Sequence, residues 1–520
     1  MTGFLPQIPS SFTSFTSFTV TFTEGTVMRS RLRRTSRTSR TSRTKGVASC
    51  LALGLTAVLA LSGCSSSDNG VGPDGKVEIT IAGPNQWNDQ SGSFGKPWEK
   101  LIAEFEKAEP KIKVKTNVLP LADYSKTLGT QLSAGTAPEL VFYSAPHQPH
   151  MVHTLDDELK KPNPYVAGNK KWADLFDPKY YGPGKGTNAE GKKEYLPFNV
   201  VSTGIYYNRA AFDKADVEAP VKTFSGLMTA CGKLKKAGYS PLAMDSSPSG
   251  VGWTIKTISN MLLDKYYDKL NVFAPDGSKG KSPTVSDKAR YRAILSGDLD
   301  ATKTPEVAES VKLLKRVFDK CATKNWSGIA PSSSSVVNGR DFSSGKAAMA
   351  WGTPFGYGAL SEVEGKVSSM PFPTVTEDTS ALSTGAPAQF GADAGGTSYM
   401  IPSPVEGPKY DAALKFLQWM SVPEHTQDWL DATGALPVLK GSEAPKATKS
   451  MSQGVWSEKM RIGGQPDAPK GVTVVSLYDG YLLGSKSLDT TLKDLQAAWR
   501  KLAQEQVRDH GWDDEPWAKG

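Results

Sequence analysis

The chain has 520 residues, of which 38% are apolar and 22% are charged, and its formal net charge is +8. Eight of the 61 basic side chains but only one of the 53 acidic ones lie in residues 1–63, so the rest of the chain is nearly neutral. Bulk charge therefore gives no support to nucleic acid as a partner, and the remaining length is enough for two domains, each with its own core.

The N-terminal segment has the order of charges and apolar residues that is typical of an export signal. A basic stretch from Arg29 to Lys45 is followed by about 15 apolar and small residues, fewer than the roughly 20 that span a bilayer. The run ends at Leu61-Ser62-Gly63-Cys64, which resembles the bacterial lipobox. We therefore predict an export signal over 1–63, with lipidation of Cys64 as the first mature residue. A lipid-anchored flexible linker is expected over 64–75, at the extracellular face of the cell membrane.

Two details of the export signal stay open. Met28 opens a conventional basic region, so residues 1–27 are interpreted as a possible start-site artefact. Arg33-Arg34 is compatible with twin-arginine export, but the apolar residues expected directly after such a pair are missing. The general export route is therefore favoured.

The cysteine count suggests one cross-link in the exported protein. Cys50 leaves with the export signal and Cys64 carries the lipid, so Cys231 and Cys321 remain. Two thiols in an oxidising compartment predict a disulfide, and two buried free thiols are the alternative. No His or Cys lies near either of them at ligand spacing, so neither a metal site nor a cofactor is expected.

Strands and helices alternate along the first part of the mature chain. An alternating pattern starts a strand at Val77, and an amphipathic helix follows over Trp98–Phe105. A strand near Ile112, a helix over Tyr124–Ala134 and a strand over Glu139–Tyr143 complete a series that predicts a layered α/β sheet. Farther along, one strand is predicted at Val200–Tyr207 and another at Tyr239–Met244. Further helices are predicted at Ser225–Lys236, Val307–Cys321, Ala412–Met420, His425–Thr433 and Leu488–Leu502.

Five longer segments carry a family resemblance. They are FEKAEPKIKV (Phe105–Val114), YSKTLGTQLSAGTAPELVF (Tyr124–Phe142), YLPFNVVSTGIYYNRAAFDKA (Tyr195–Ala215), FSSGKAAMAWGTPFGYG (Phe342–Gly358) and AALKFLQWMSVPEHTQDWLDATGALPV (Ala412–Val438). In this order they resemble the extracellular solute-binding proteins of ABC importers, in the carbohydrate-binding group that includes maltose-binding protein. The resemblance implies an α/β, two-lobed periplasmic-binding-protein-like fold of type II, with a multi-strand hinge. It implies lobe I over 76–200 and 373–430, and lobe II over 201–372 and 431–520.

Candidate ligand contacts follow from what a sugar presents to a protein. Sugars have apolar CH faces and many hydroxyls, so they need aromatic rings and planar polar groups. Such residues lie in loops after predicted strands, where α/β sheets carry their ligand sites. The predicted ligand-binding residues are Trp87, Asp89, Tyr143, Ser144, Asp245, Trp253, Trp351, Phe355, Tyr357, Asp393 and Gly395.

Each of these residues also has a purely structural alternative. A loop tryptophan can cover a core, and Asp245 and Asp393 can be hydrogen-bonded turn residues. His147 and His150 are three residues apart, but no carboxylate stands at a fitting position, so they are interpreted as surface histidines rather than metal ligands. Trp98, Trp429 and Trp499 lie on apolar helix stripes and are assigned to the core.

The resemblance implies a substrate-binding subunit that needs no cofactor and works as a monomer. It would bind a carbohydrate, stay anchored to the membrane by its lipid, and dock on the transmembrane permease subunits of an ABC importer. A ligand-sensing lipoprotein that partners a receptor kinase is one alternative, and a secreted carbohydrate-active enzyme with two opposed carboxylates is another. The enzyme is disfavoured because the Gly-x-Ser-x-Gly, His-Glu-x-x-His and P-loop motifs do not occur.

Overall fold

The computed structural model describes residues 71–519, apart from short stretches within that range. The stretches left out are 73, 86, 88–91, 121–122, 144, 146, 189, 283, 332–334, 364–366, 388–390, 395 and 453–466. The predicted export signal, Cys64 and linker residues 65–70 lie outside the described residues. Among those described, no helix is both long and apolar enough to cross a membrane.

The strands form three sheets. Within the described residues the strands are β1 Val77–Pro84, β2 Ile112–Leu119, β3 Leu140–Phe142, β4 Leu196–Pro197, β5 Asn199–Ser202, β6 Gly204–Asn208, β7 Ser240–Ala243, β8 Ala347–Gly352, β9 Val367–Met370, β10 Gly391–Ala394, β11 Ser398–Met400 and β12 Leu436–Pro437. The sheet orders are β2-β1-β3-β11-β4, β10-β5-β12 and β7-β8-β6-β9.

The helices connect and cover these sheets. They are α1 Lys96–Ala108, α2 Tyr124–Ser133, α3 Asp156–Leu159, α4 Pro178–Tyr181, α5 Arg209–Lys214, α6 Phe224–Lys236, α7 Pro248–Leu262, α8 Tyr267–Leu270, α9 Asp287–Leu295, α10 Pro305–Cys321, α11 Gly339–Ser343, α12 Gly407–Trp419, α13 Pro423–Thr433, α14 Asp479–Leu482 and α15 Leu488–Asp509. The predicted helices are confirmed as α1, α2, α6, α10, α12, α13 and α15. Gly434, where α13 ends, adopts the left-handed conformation with φ 74°.

The first sheet begins with parallel strands because strands and helices alternate along this part of the sequence. β1 runs parallel to β2, with Val77 opposite Ile112, and parallel to β3, because α1 and α2 carry the chain back between them. β11 then returns antiparallel to β3 and β4. Phe105 of α1 meets Phe416 of α12 edge to face at 5.0 Å, which closes the core on this sheet.

The strand predicted over Val200–Tyr207 is two strands in different sheets. β5 pairs with β10 and β12, whereas β6 pairs with β8 and β9, and Thr203 lies between them. Gly204 is needed at this crossing because a β-carbon there would lie 2.9 Å from both the Met370 carbonyl oxygen and the Met451 side chain. Ser202, Thr203 and Gly204 stand at the crossing, between the apolar residues of β5 and those of β6.

Two hydrophobic cores result. The first packs α1, α12 and α13 on β1 to β3, and it includes Trp429 and Leu436. The second packs α6, α7, α10 and α15 around β6 to β9, and it includes Val375 and Trp499. The proposed lobe boundaries, which the cores alone do not test, stay a prediction.

A disulfide joins two helices of the second core. The Sγ atoms of Cys231 on α6 and Cys321 on α10 are 2.08 Å apart, and both side chains are fully buried. The bridge closes a sequence separation of 90 residues. It ties the first part of this core to a helix much farther along the chain.

Candidate functional site

A cavity of about 1160 Å³ has walls that come from both cores. On the side of the first core it is lined by α2, by the segment after β3 and by the loop before β4. On the side of the second core it is lined by the end of α15 and by Lys470. Its polar and aromatic lining residues include Lys126, Tyr143, His147, Gln148, Asn188, Glu190, Glu194, Lys470, Gln506, Asp509 and His510.

The first wall carries an aromatic pair. Tyr143 follows the carboxyl end of β3, the edge of the sheet where ligand-bearing loops lie. Its ring centroid is 3.7 Å from that of Tyr195, which is buried. The hydroxyl of Tyr181 donates to the Tyr195 carbonyl oxygen, which fixes the backbone behind this pair. Tyr143 is itself half-buried, so part of its ring remains available to the cavity.

An ion pair lies beside these rings. Nε2 of His147 is 3.2 Å from Oε2 of Glu194, and Nδ1 donates to the Ala145 carbonyl oxygen at 2.8 Å. Nδ2 of Asn188 donates to the other Glu194 oxygen at 2.6 Å. Burial lowers the pKa of His147, but the bonds to Glu194 and Ala145 outweigh it and leave the pKa raised above its ordinary value. The imidazole therefore keeps its proton to higher pH than an unperturbed histidine does.

The second wall carries its own charges. Nζ of Lys470 is 3.0 and 3.3 Å from the two carboxylate oxygens of Asp509, the last residue of α15. The backbone N–H of Lys470 donates to Oε2 of Glu505 at 2.9 Å. His510 stacks on Trp512 at 4.5 Å with an interplanar angle of 11°. The C-terminal turn of α15 is thus held in place where it borders the cavity.

The structure places the predicted ligand residues in several environments. Among the predicted residues that the structure describes, Tyr143 is the one that lines this cavity. Asp89, Ser144 and Gly395 lie outside the described residues. Phe355 falls in a 3-10 helix over Pro354–Val363, and Asp393 falls on β10.

Trp87 and Tyr357 both pack in or on the first core. The Trp87 ring is only 7% exposed and packs edge to face on Trp429 at 5.0 Å. Its carbonyl oxygen lies 3.3 Å from where a β-carbon on Gly358 would stand. Tyr357 is half-buried, and its Cβ would be 2.7 Å from a β-carbon on Gly434. Both residues therefore pack where the segment after β8 meets α13.

Trp351 and Trp253 do not lie in loops, which corrects the placement made from sequence. Trp351 is on β8, is fully buried and stacks on Phe372 at 5.1 Å and 7°. Trp253 is on α7, half-buried, with its ring 6.3 Å from that of Trp351. The helix starts at Pro248, because Pro suits the first helical turn, and Gly250, one of the glycines that suggested a loop, packs closely on Met244.

Asp245 is also inside the protein. Its side chain is fully buried, and its carboxylate accepts the backbone N–H groups of Ser247 at 2.9 Å and Asn338 at 3.0 Å. A buried carboxylate bound in this way fixes two backbone segments. The proposed site therefore includes neither Asp245 nor Trp351.

Several residues of the cavity were missed by the sequence reasoning. His147 was interpreted as a surface histidine, but its side chain is 13% exposed and paired. Glu194 stands in a lysine-rich loop that has no apolar periodicity. Lys470 and Asp509 come from the far end of the chain, so the sequence does not show that they face this wall. A charged residue two positions before a buried strand, as Glu194 is before β4, was the available signal. Within the described residues no group of three or more His, Cys, Asp or Glu side chains could hold a metal ion.

Comparison with known proteins gives one family and a consistent fold. The sequence model of the family described as bacterial extracellular solute-binding protein matches residues 100–453. Among curated proteins, the sn-glycerol-3-phosphate-binding periplasmic protein UgpB of Escherichia coli K12 is 24% identical, over 68% of this chain and 74% of its own. The multiple sugar-binding protein of Streptococcus mutans is 23% identical, over 76% of this chain and 82% of its own.

Solved structures share the architecture. The solute-binding protein RafE in complex with raffinose superimposes with a TM-score of 0.58 at 17% identity, covering 82% of this chain and 100% of its own. At this identity the likeness shows the fold only. The prediction of a two-lobed solute-binding fold is confirmed.

Proposed function

The chain belongs to the bacterial extracellular solute-binding proteins, and we propose that it binds a carbohydrate between its lobes as the substrate-binding subunit of an ABC importer. The cavity with walls from both cores carries this proposal. It offers a half-buried tyrosine face and a mixture of hydrogen-bond donors and acceptors, which is what a sugar requires. Relatives whose names refer to sugar binding support the same ligand class.

The proposed mechanism is closure on the ligand. Thr203 and Gly204 carry the chain from a strand of the small sheet to a strand of the second core, so rotation there moves one wall of the cavity against the other. A ligand that touches both walls binds the closed state more tightly than the open one and shifts the population toward it. Micromolar affinity corresponds to about −8 kcal/mol, which a stacked ring and several hydrogen bonds can supply. The closed form would then dock on the permease subunits.

The family and the relatives are binding proteins. We propose that this chain likewise binds its ligand and leaves it chemically unchanged. A thermal-shift screen with raffinose, chitin and xylan oligosaccharides and sn-glycerol 3-phosphate tests the binding. Chromatography of the recovered ligand tests the chemistry. An oligosaccharide that raises the unfolding midpoint and is recovered intact is the expected result. Release of shorter saccharides would instead favour the carbohydrate-active enzyme.

The lipid anchor is part of the same proposal. Cys64 would carry the diacylglycerol and hold the protein at the outer face of the cell membrane. Exchange of Cys64 for Ser should leave the precursor uncut or release the protein to the medium. Lipid labelling that persists in the Cys64→Ser variant would exclude this anchor, while the proposed binding function would still stand.

A further inference from the structure

The loop between α4 and β4 folds around the ammonium group of Lys193. Nζ of Lys193 donates to the carbonyl oxygen of Gly182 at 3.0 Å and also to that of Lys185. The backbone of Lys193 is fixed as well, because its N–H donates to Oδ2 of Asp156 at 3.1 Å and its carbonyl oxygen accepts from the N–H of Leu155 at 2.7 Å. Both the main chain and the side chain of this lysine are therefore held in place.

The same ammonium group lies over an aromatic ring. Nζ of Lys193 is 3.9 Å from the ring centroid of Tyr181, which is buried. A cation over a ring face is attracted to it, and the attraction grows when water is excluded. A β-carbon on Gly186 would lie 2.7 Å from the Tyr181 ring and 2.9 Å from the hydroxyl of Tyr195. The loop backbone therefore packs directly on both rings.

These contacts lead from Lys193 to the wall of the cavity. The hydroxyl of Tyr181 donates to the carbonyl oxygen of Tyr195. The ring of Tyr195 lies 3.7 Å from that of Tyr143, with an interplanar angle of 30°. Tyr143 lines the cavity, whereas Lys193 does not. A half-buried ring takes its tilt from the buried groups behind it, and a binding site loses affinity when such a ring is displaced by a fraction of an ångström.

We propose that Lys193 is a positioning residue for the carbohydrate site. Its ammonium group sets the orientation of the Tyr143 ring through Tyr181 and Tyr195, without touching the ligand. This inference rests on the proposed function and adds to it a residue that acts from behind the wall.

Removal of the ammonium group tests the proposal. Lys193→Met keeps most of the alkyl chain but loses the charge and the three N–H donors. Isothermal titration with the saccharide found in the screen should show at least about a fivefold loss of affinity for this variant. Lys192→Met is the matched control, since Lys192 is the exposed neighbour on the same loop, and it should stay within about twofold of the wild type.

A double-mutant cycle separates positioning from a general structural role. If Lys193 acts through the Tyr143 ring, its substitution has nothing left to misplace once that ring is gone. Lys193→Met should therefore change the affinity by less than about twofold in a Tyr143→Ala background. A general weakening of the fold would instead lower the affinity by the same factor in both backgrounds.

A second variant keeps the test open if Lys193→Met does not fold. Tyr181→Phe retains the ring beneath the ammonium group and removes only the hydroxyl that binds the Tyr195 carbonyl oxygen. It should weaken binding of the same saccharide by at least about threefold, and this loss should also vanish in the Tyr143→Ala background.

The contrary outcomes are distinct. Full affinity in folded Lys193→Met, or in Tyr181→Phe where the first variant does not fold, would overturn the inference and leave the proposed function standing. Equal losses with and without the Tyr143 ring would overturn it too, and so would wild-type affinity in Tyr143→Ala alone. If no saccharide of the screen binds the wild type, the proposed function fails and this inference fails with it.

Discussion

His147 and Glu194 come from two segments 47 residues apart and meet at 3.2 Å on the wall of the candidate cavity. The ring of His147 donates from both nitrogens, to Glu194 and to the Ala145 carbonyl oxygen. The pair therefore joins two segments of the wall on the side of the first core and contributes to its stability as well as to the charge of the cavity.

The raised pKa of His147 gives this contribution a definite pH dependence. The folded protein holds the imidazole proton more tightly than the unfolded chain, in which histidine titrates near 6.5. The extra stability is complete below about pH 6.5 and is lost as pH rises through the raised pKa of the folded state. The wild type should therefore exceed His147→Gln in free energy of unfolding by more at pH 5.5 than at pH 8.5. A difference that stays constant across this range would contradict the pairing.

Trp351 should matter for stability rather than for ligand affinity. It is fully buried on β8 and stacks on Phe372. Removing a buried tryptophan side chain leaves a large cavity, so Trp351→Ala should lose about 3–5 kcal/mol in denaturant unfolding. Trp253→Ala, at a half-buried neighbour, should lose less. A stable Trp351→Ala protein with weakened ligand binding would return Trp351 to the site.

Tyr143 should matter for affinity. Its ring lines the cavity and rests on Tyr195 at 3.7 Å. Tyr143→Ala should weaken binding of the saccharide found in the screen by about 1–3 kcal/mol, the scale of a lost aromatic contact in a binding site. Tyr143→Phe keeps the ring and should retain most of the affinity, as calorimetry can measure. Equal affinity in the wild type and Tyr143→Ala would remove this wall from the site.

The disulfide should stabilise the second core. Cross-linking residues separated by 90 positions restricts the unfolded chain, an effect of about 2–5 kcal/mol. The double variant Cys231→Ser and Cys321→Ser should therefore unfold at lower denaturant concentration than the wild type. Mass spectrometry of the exported protein without reductant should find one peptide pair joined through these cysteines. Two free thiols in that protein would contradict the bridge.

Local patterns in the sequence predicted much of the fold. The strand and helix series from Val77 to Tyr143 was recoverable because each element has its own apolar period and each helix has a Pro or Gly at its end. The start of α7 was not, since Gly250 and Gly252 look like loop residues, and the close packing of Gly250 is visible only in the folded chain. A β-carbon on Gly250 would lie 2.9 Å from the sulfur of Met244.

The site was less predictable, because its contacts are long-range. Tyr143 was found from its place after a strand, which is a local rule. Trp351 was misplaced because the glycines that follow it suggested a loop, whereas β8 continues through it to Gly352. Glu194 was missed because its partners, His147 and Asn188, become its neighbours only in the folded chain.

The proposed function requires two lobes to close around a carbohydrate. Small-angle X-ray scattering of the exported protein, with and without the saccharide that shifts its unfolding midpoint, tests this most directly. The radius of gyration should fall when the saccharide is added and recover when it is dialysed away. Superimposable scattering profiles at saturating saccharide would contradict closure.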